Sequence, residues 1–479
     1  MTSTATPLQT TAPPIADQRW GPSLWGALIV LCGALFLDGL DLSMVGVALP
    51  SIGAELGLST SALQWVVSGY VLGYGGLLLL GGRAADLLGR RRVFLIAIGV
   101  FAAASLLGAF VDNGTLLVAT RFIKGVSAAF TAPAGLSIIT TTFPEGPARN
   151  RALSIYTATG ASGFSLGLIL GGVMTEVGWR WTFLLPVPIA LALLAAGTRL
   201  IPRDGRPAGA RQGYDVAGAV TSTAALLLLV YAVTEAPEVG WLAPRTLLAF
   251  ALVGSLIAAF LVIERRVAHP LLRLGILRNK ALVRANLAAM AMFGSYVGFQ
   301  FIGTLYMQSL LGWSPMQMAL AFLPAGLIVA FGGPHADAVV NRYGTSRVIL
   351  VAFVAFVLGY GLFLRIGGEA EYVTVILPSM LLLGIGFALG FPTLNIQATT
   401  GVSDAEQGLA SGLVQTSFQV GGATALAAVT AVVTAHGDST DQGAMLSSFY
   451  PGLAVVAGVA VAGLLVTFAG VSGRRAAVA

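Results

Sequence analysis

Along the 479-residue chain, apolar runs of about twenty residues alternate with short polar connections, and the alternation repeats fourteen times. The runs cover approximately residues 24–49, 62–82, 93–110, 115–141, 152–173, 181–200, 217–233, 247–263, 287–311, 315–333, 348–364, 373–396, 409–433 and 452–471. At ~1.5 Å per residue, roughly twenty helical residues cross the ~30 Å hydrocarbon layer of a bilayer. A helix satisfies its own backbone amides where no water can do so. The pattern therefore predicts an all-α polytopic membrane protein with fourteen spans. Residues 1–22 begin with MTSTATPLQTTAPPIADQRW, which is polar and rich in Pro and Thr. They lack the apolar core of a cleaved signal peptide and read as a disordered cytoplasmic tail.

The charge distribution gives the spans an orientation. Only 10% of the residues are charged, against about 25% in a soluble domain. With the amino terminus in the cytoplasm, 21 of the 26 cations fall in inner loops and tails. Three, Arg180, Arg245 and Arg365, fall outside, and Arg121 and Lys124 fall within a span. This asymmetry follows the positive-inside rule and predicts two cytoplasmic termini in the cell's inner (cytoplasmic) membrane. The net charge of +6 is then accounted for by topology, which removes the support for nucleic-acid binding. The single cysteine, Cys32, excludes an intrachain disulfide and reads as buried apolar filler.

Two pairs of segments echo each other. DLLGRRRV, residues 86–93, and NRYGTSRV, residues 341–348, each join two spans through a short turn carrying Gly89 or Gly344. TAPAGLS in span 4 and GFPTLNI in span 12 each precede a charged loop. Such repeats place spans 1–6 opposite spans 9–14 and leave spans 7 and 8 as an insert. The expected organisation is a six-helix bundle over 23–205, a two-helix insert with its flanking loops over 206–275, a second bundle over 276–472 and a cytoplasmic tail over 473–479. A site between the halves, near the membrane midplane, follows from that arrangement.

Several stretches then carry a resemblance: LDLSMVGVALPSI at 40–52, GRAADLLGRRR at 82–92, RFIKG at 121–125, WRWTFLLPVP after span 5 and YMQSLLGWSP at spans 9–10. Together they resemble the major facilitator superfamily, specifically its fourteen-span drug:proton antiporter branch. The resemblance implies a secondary-active exporter, in which two halves alternate access and exchange protons for hydrophobic or amphipathic molecules such as antibiotics. It also implies a cytoplasmic gate built from Gly82, Asp86, Gly89 and Arg90, with Asn341 and Arg342 as the second-half copy. Where the branch signature in span 5 has Pro, this chain has Leu168, while Gly163, Gly167, Gly171 and Gly172 remain. Their spacing permits close helix packing and a hinge. Leu87 and Asn341 also depart from the motif. Leu168 keeps open a second reading, a proton-coupled importer or facilitator of a small solute.

Arg121 and Lys124 need a reason to be where they are, since each cation at a span centre costs about 2.5–3.5 kcal/mol on insertion scales. Counting inward at ~1.5 Å per residue puts Arg121 ~9 Å and Lys124 ~14 Å deep, with Asp41 ~14 Å and Asp38 ~18 Å deep in span 1. Carboxylate and cation thus share a level, and the resemblance supplies the lateral proximity of spans 1 and 4. The expectation is that Asp41, with Asp38 as second candidate, carries the proton, and that Arg121 biases its protonation. Burial and a nearby cation move a carboxyl pKa in opposite senses, so a change in their separation loads or releases a proton. Lys124 either titrates or shields. The competing reading is a static charge pair that lets two helices insert together.

Polar residues within apolar spans more often anchor helices than touch ligands; Gln300, Asn395, Gln415 and Tyr156 are the substrate-contact candidates. His269, His335 and His436 fall in separate loops and form no ligand cluster. No phosphate-cradling Gly-Lys-Ser/Thr loop occurs. The sequence thus points away from an enzyme, a metal protein or an ATP-driven pump, and toward a monomer with no cofactor that draws on the proton gradient. Its partners would be a small-molecule substrate, protons and the lipid bilayer. A non-transporting receptor or scaffold would have no use for Asp41 or Arg121.

Overall fold

The computed structural model describes residues 20–144, 147–203, 215–267, 273–369, 371–402, 407–435 and 442–476. Most of residues 1–22, and part of each loop flanking the insert, lie outside them. Among the described residues, thirteen helices are long and apolar enough to cross a membrane. They are α1 (Pro22–Leu56), α3 (Arg90–Ala109), α4 (Gly114–Thr142), α5 (Pro147–Val177), α6 (Trp181–Leu200), α7 (Val216–Val239), α8 (Pro244–Arg266), α9 (Lys280–Leu310), α10 (Pro315–Gly332), α11 (Thr345–Phe363), α12 (Tyr372–Thr399), α13 (Gln407–Thr434) and α14 (Gln442–Ala476). The remaining predicted span lies in α2 (Thr60–Leu88), 29 residues long and rich in Gly, with Gln64 and Ser68 facing inward.

The helix ends depart from the hydropathy pattern for local reasons. Helix α1 continues past Pro50 to Leu56 and stops where Gly57 takes φ +64°, a left-handed conformation that favours glycine. Helix α6 breaks at Leu185 because Pro186 and Pro188 follow. Helix α10 ends at Gly332, and a separate short helix, Ala336–Tyr343, precedes the turn at Gly344. Helix α14 runs on to Ala476, beyond 472.

The internal repeat is visible in the packing. In one half α1 packs on α5 and α6, α2 on α4, and α3 on α4 and α6; in the other α9 packs on α13 and α14, α10 on α12, and α11 on α12 and α14. The closest approaches match too. A Cβ on Gly163 would collide with the Phe36 backbone of α1, and a Cβ on Gly421 with the Met290 backbone of α9. The halves meet along two seams related in the same way, α5 on α10 and α2 on α13. The insert is one-sided: α7 covers the α2–α13 seam, with Leu227 seated against Gly76, and α8 packs on α7. Fourteen long helices in succession return the chain to the side from which it started, so both described ends belong to one face of the bundle, the terminal face.

Candidate functional site

Helix α4 begins at Asn113, whose side chain accepts from the amides of Thr115 and Leu116. This cap sets the helical phase, so Arg121 and Lys124, three apart, point to the same side. That side faces α1. Arg121 Nη1 and Lys124 Nζ each donate to a different oxygen of Asp41, and all three side chains are fully shielded from solvent. Sequence reasoning left open which cation faces Asp41, and both do. Arg121 also donates from Nε to the carbonyl of Val66 in α2, at 3.1 Å.

Aromatic faces complete the cage. The Arg121 guanidinium carbon lies 4.7 Å from the Tyr70 ring centroid, and Lys124 Nζ lies 4.8 Å from Phe101 and 4.9 Å from Phe183. Cation–ring attraction offsets part of the lost hydration. Helices α1, α2, α3, α4 and α6 thereby converge on one carboxylate. The approach between α2 and α4 depends on Gly73 and Gly125, where any Cβ would strike the facing backbone.

Asp38, one turn away, is also buried, but among the described residues it makes no ion pair and its Oδ2 has no hydrogen-bond partner. The same is true of Arg121 Nη2, Tyr70 Oη, Gln64 Nε2 and Ser68 Oγ. Buried polar atoms without a partner are uncommon in folded proteins. Tyr156 donates to the Ala132 carbonyl of α4 at 3.1 Å.

The gate candidates lie in and near two equivalent turns, one in each half. Gly89 takes φ +95° between α2 and α3, and Gly344 takes φ +81° at the equivalent place in the other half. Gly82 faces Pro133 of α4. The side chain of Asp86 lies outside the described residues. Asn341 and Arg342 are exposed on the short helix, with Arg342 over the Tyr343 ring. Of the hinge glycines, Gly163, Gly167 and Gly171 face α1, whereas Gly172 faces Pro315, Met316 and Ala319 of α10 across the seam. Leu168 is buried beside them.

The substrate candidates separate into three places. Asn395 of α12 accepts from Gln415 of α13 at 3.2 Å, near the terminal face. Gln300 of α9 sits against Gly46 of α1, and Tyr156 stays within its own half. The sequence had not singled out what stands at the centre. Phe164 of α5 meets Tyr296 of α9 and Phe387 of α12, and together with Gly326, Val329 and Leu383 these line a narrow cavity with room for about one water molecule. No charged residue lines it.

At the opposite face the halves touch. Ser314 Oγ donates to Glu176 at 2.7 Å while also capping α10, and Gln308 donates to the carbonyl of Val47 at 2.8 Å. Gln308 reaches α1 from a turn of α9 that widens, Leu311 bonding back to Tyr306; such turns often mark functional positions. On the same face Arg180 bridges Glu55 and Asp112 within the first half. Hydrogen bonding from Arg180, and then from Trp179, holds the Glu55 carboxyl below its ordinary range.

The sequence profile of the Major Facilitator Superfamily matches residues 31–426. The puromycin resistance protein pur8 of Streptomyces alboniger is 37% identical over 469 residues, covering 94% of this chain and 91% of that protein. The cephamycin export protein CmcT of Amycolatopsis lactamdurans is 38% identical, covering 90% of this chain and 89% of that protein. Among solved structures, the POT family transporter PepTSo superposes with a TM-score of 0.68 at 16% identity, covering 94% of this chain and 98% of that one. The nucleoside transporter NupG does so with a TM-score of 0.60, at 16% identity and with 94% and 99% covered. Both share the fold.

Proposed function

The chain belongs to the Major Facilitator Superfamily, and we propose that it exports antibiotic-like small molecules across the cytoplasmic membrane in exchange for protons. It is a multi-pass membrane transporter rather than an enzyme. Export agrees with its similarity to a puromycin resistance protein and a cephamycin export protein. The proton side of the reading rests on one observation, Asp41 held by both Arg121 and Lys124 in a fully buried cage. An intramembrane carboxylate with two cations is costly to build and, by default, functional.

Exchange follows from competition for Asp41. While both cations hold it, the carboxylate is neutralised without a proton. A rearrangement within the first half, coupled to rocking of the halves, that draws α4 away from α1 removes that compensation, and a buried carboxylate without a cation takes up a proton. Return of the cations expels it. Asp38, beside the cage and without an ion-pair partner, serves as the second carrier. One charge crossing 100 mV supplies about 2.3 kcal/mol, enough to concentrate a substrate some fiftyfold. The substrate occupies the seam between the halves, with both termini in the cytoplasm and one chain sufficing.

In cells producing the protein, labelled puromycin should accumulate several-fold less than in controls, and a protonophore should abolish the difference. Accumulation that is lowered equally with and without the protonophore would count against proton exchange, and raised accumulation against export.

A further inference from the structure

We propose that Phe164 and Phe387 form a clamp that selects flat aromatic groups on the transported molecule; this rests on the export reading above. Phe164 belongs to one half and Phe387 to the other. Their rings lie within 15° of parallel, with centroids 6.4 Å apart. Tyr296 stands at 61° to the first ring and 55° to the second, at 5.7 and 4.9 Å, and closes one edge. A flat ring held between two others at carbon contact distances of ~3.5 Å needs about 7 Å. Because the two rings are carried by different halves, movement of the halves relative to each other opens that room.

Two features distinguish this arrangement from ordinary helix packing. The three rings line the seam cavity, which no charged residue lines, so recognition there depends on shape and ring faces. The parallel arrangement also continues beyond the cavity. Phe387 stacks on Phe391 at 7° and 5.6 Å, and Phe391 on Phe418 at 29° and 5.1 Å. The ladder ends beside the Asn395–Gln415 amide pair near the terminal face. Phe391 and Phe418 thereby back the Phe387 ring, and the near-parallel jaws give a flat molecule ring faces to stack on, whereas a ring-free molecule gains only non-directional apolar contact. Because the jaws come from different halves, a filled clamp sets their separation and links occupancy to the rocking motion.

The test uses the full chain in proteoliposomes with an imposed pH gradient, with ethidium as the flat probe and lincomycin as the probe without an aromatic ring. Phe164→Leu and Phe387→Leu should each lower the ethidium-to-lincomycin ratio of kcat/KM about tenfold, whereas Phe164→Tyr should restore most of it. If the wild type moves ethidium alone, the same comparison is read from the ethidium KM. An unchanged ratio, or equal losses in the Leu and Tyr variants at equal reconstituted protein, would overturn the clamp. Wild-type export of lincomycin but not ethidium would overturn it too while leaving export standing. Export of neither by the wild type would instead sink the reading on which the clamp rests.

Discussion

Replacing Asp41 with Asn perturbs the cage without changing its volume. Both carboxylate oxygens are used, one by each cation, and none of the three side chains reaches solvent. The variant therefore strands two charges whose other direct contacts, the Val66 carbonyl and the rings of Tyr70, Phe101 and Phe183, carry no charge, with Asp38 beside the cage but in ion-pair contact with neither. Breaking a buried ion pair by removing one partner costs about 3–5 kcal/mol, because the surviving charge stays desolvated. In a helical membrane protein of this size that corresponds to a Tm lower by on the order of 5 °C. The double variant Asp41→Asn with Lys124→Met strands only one cation and should recover a substantial part of the loss, a non-additivity that a double-mutant cycle reads directly. Thermal unfolding of detergent-solubilised protein, followed by tryptophan fluorescence, gives both values. A single variant that melts within about 1 °C of wild type, or a double variant whose losses simply add, would refute the claim that Asp41 compensates both cations.

The surface bridge should behave differently. Arg180 and its partners Glu55 and Asp112 are partly or largely exposed, so Arg180→Ala should cost under about 1 kcal/mol in the same melts, and less in high salt. Gly167→Ala places a Cβ on Ser43 Oγ and the Leu40 backbone and should destabilise by about 1–3 kcal/mol. Gly254→Ala, on α8 with open space around it, should be neutral or stabilise by up to about 1 kcal/mol. Glu176→Cys with Ser314→Cys joins the halves where they touch at the opposite face; cross-linking should cut transport at least tenfold, and reduction should restore it.

How much of this was legible in the sequence depended on whether a feature lives on one helix or between two. Helix count, the two-half repeat and the presence of a buried charge constellation are properties of single spans and their order, and hydropathy and residue spacing carry them. Counting depth placed Asp41 and Lys124 at one level and Arg121 about one turn away; the long Arg side chain spans that difference, so both cations reach one carboxylate. Asp38 lay at a plausible depth, but only the packing shows that it makes no ion pair. The Asn395–Gln415 pair, the placement of Gln300 against Gly46, and the Phe164–Tyr296–Phe387 cluster depend on how helices from different halves cross. Phe residues in apolar spans look alike in sequence, and no periodicity marks the one whose ring crosses a seam. Gly172 shows the same limit: its spacing matches its neighbours, yet it faces α10 rather than α1.

The central claim is exchange of substrate for protons through Asp41. Proteoliposomes that are acidic inside and carry a trapped pH dye, challenged externally with labelled puromycin, report drug and proton movement in the same vesicles. Internal pH should rise only when drug is added and in step with drug uptake. In Asp41→Asn vesicles, drug should equilibrate without moving protons. Drug and protons travelling in the same direction, or wild-type proton release from Asp41→Asn vesicles, would contradict it.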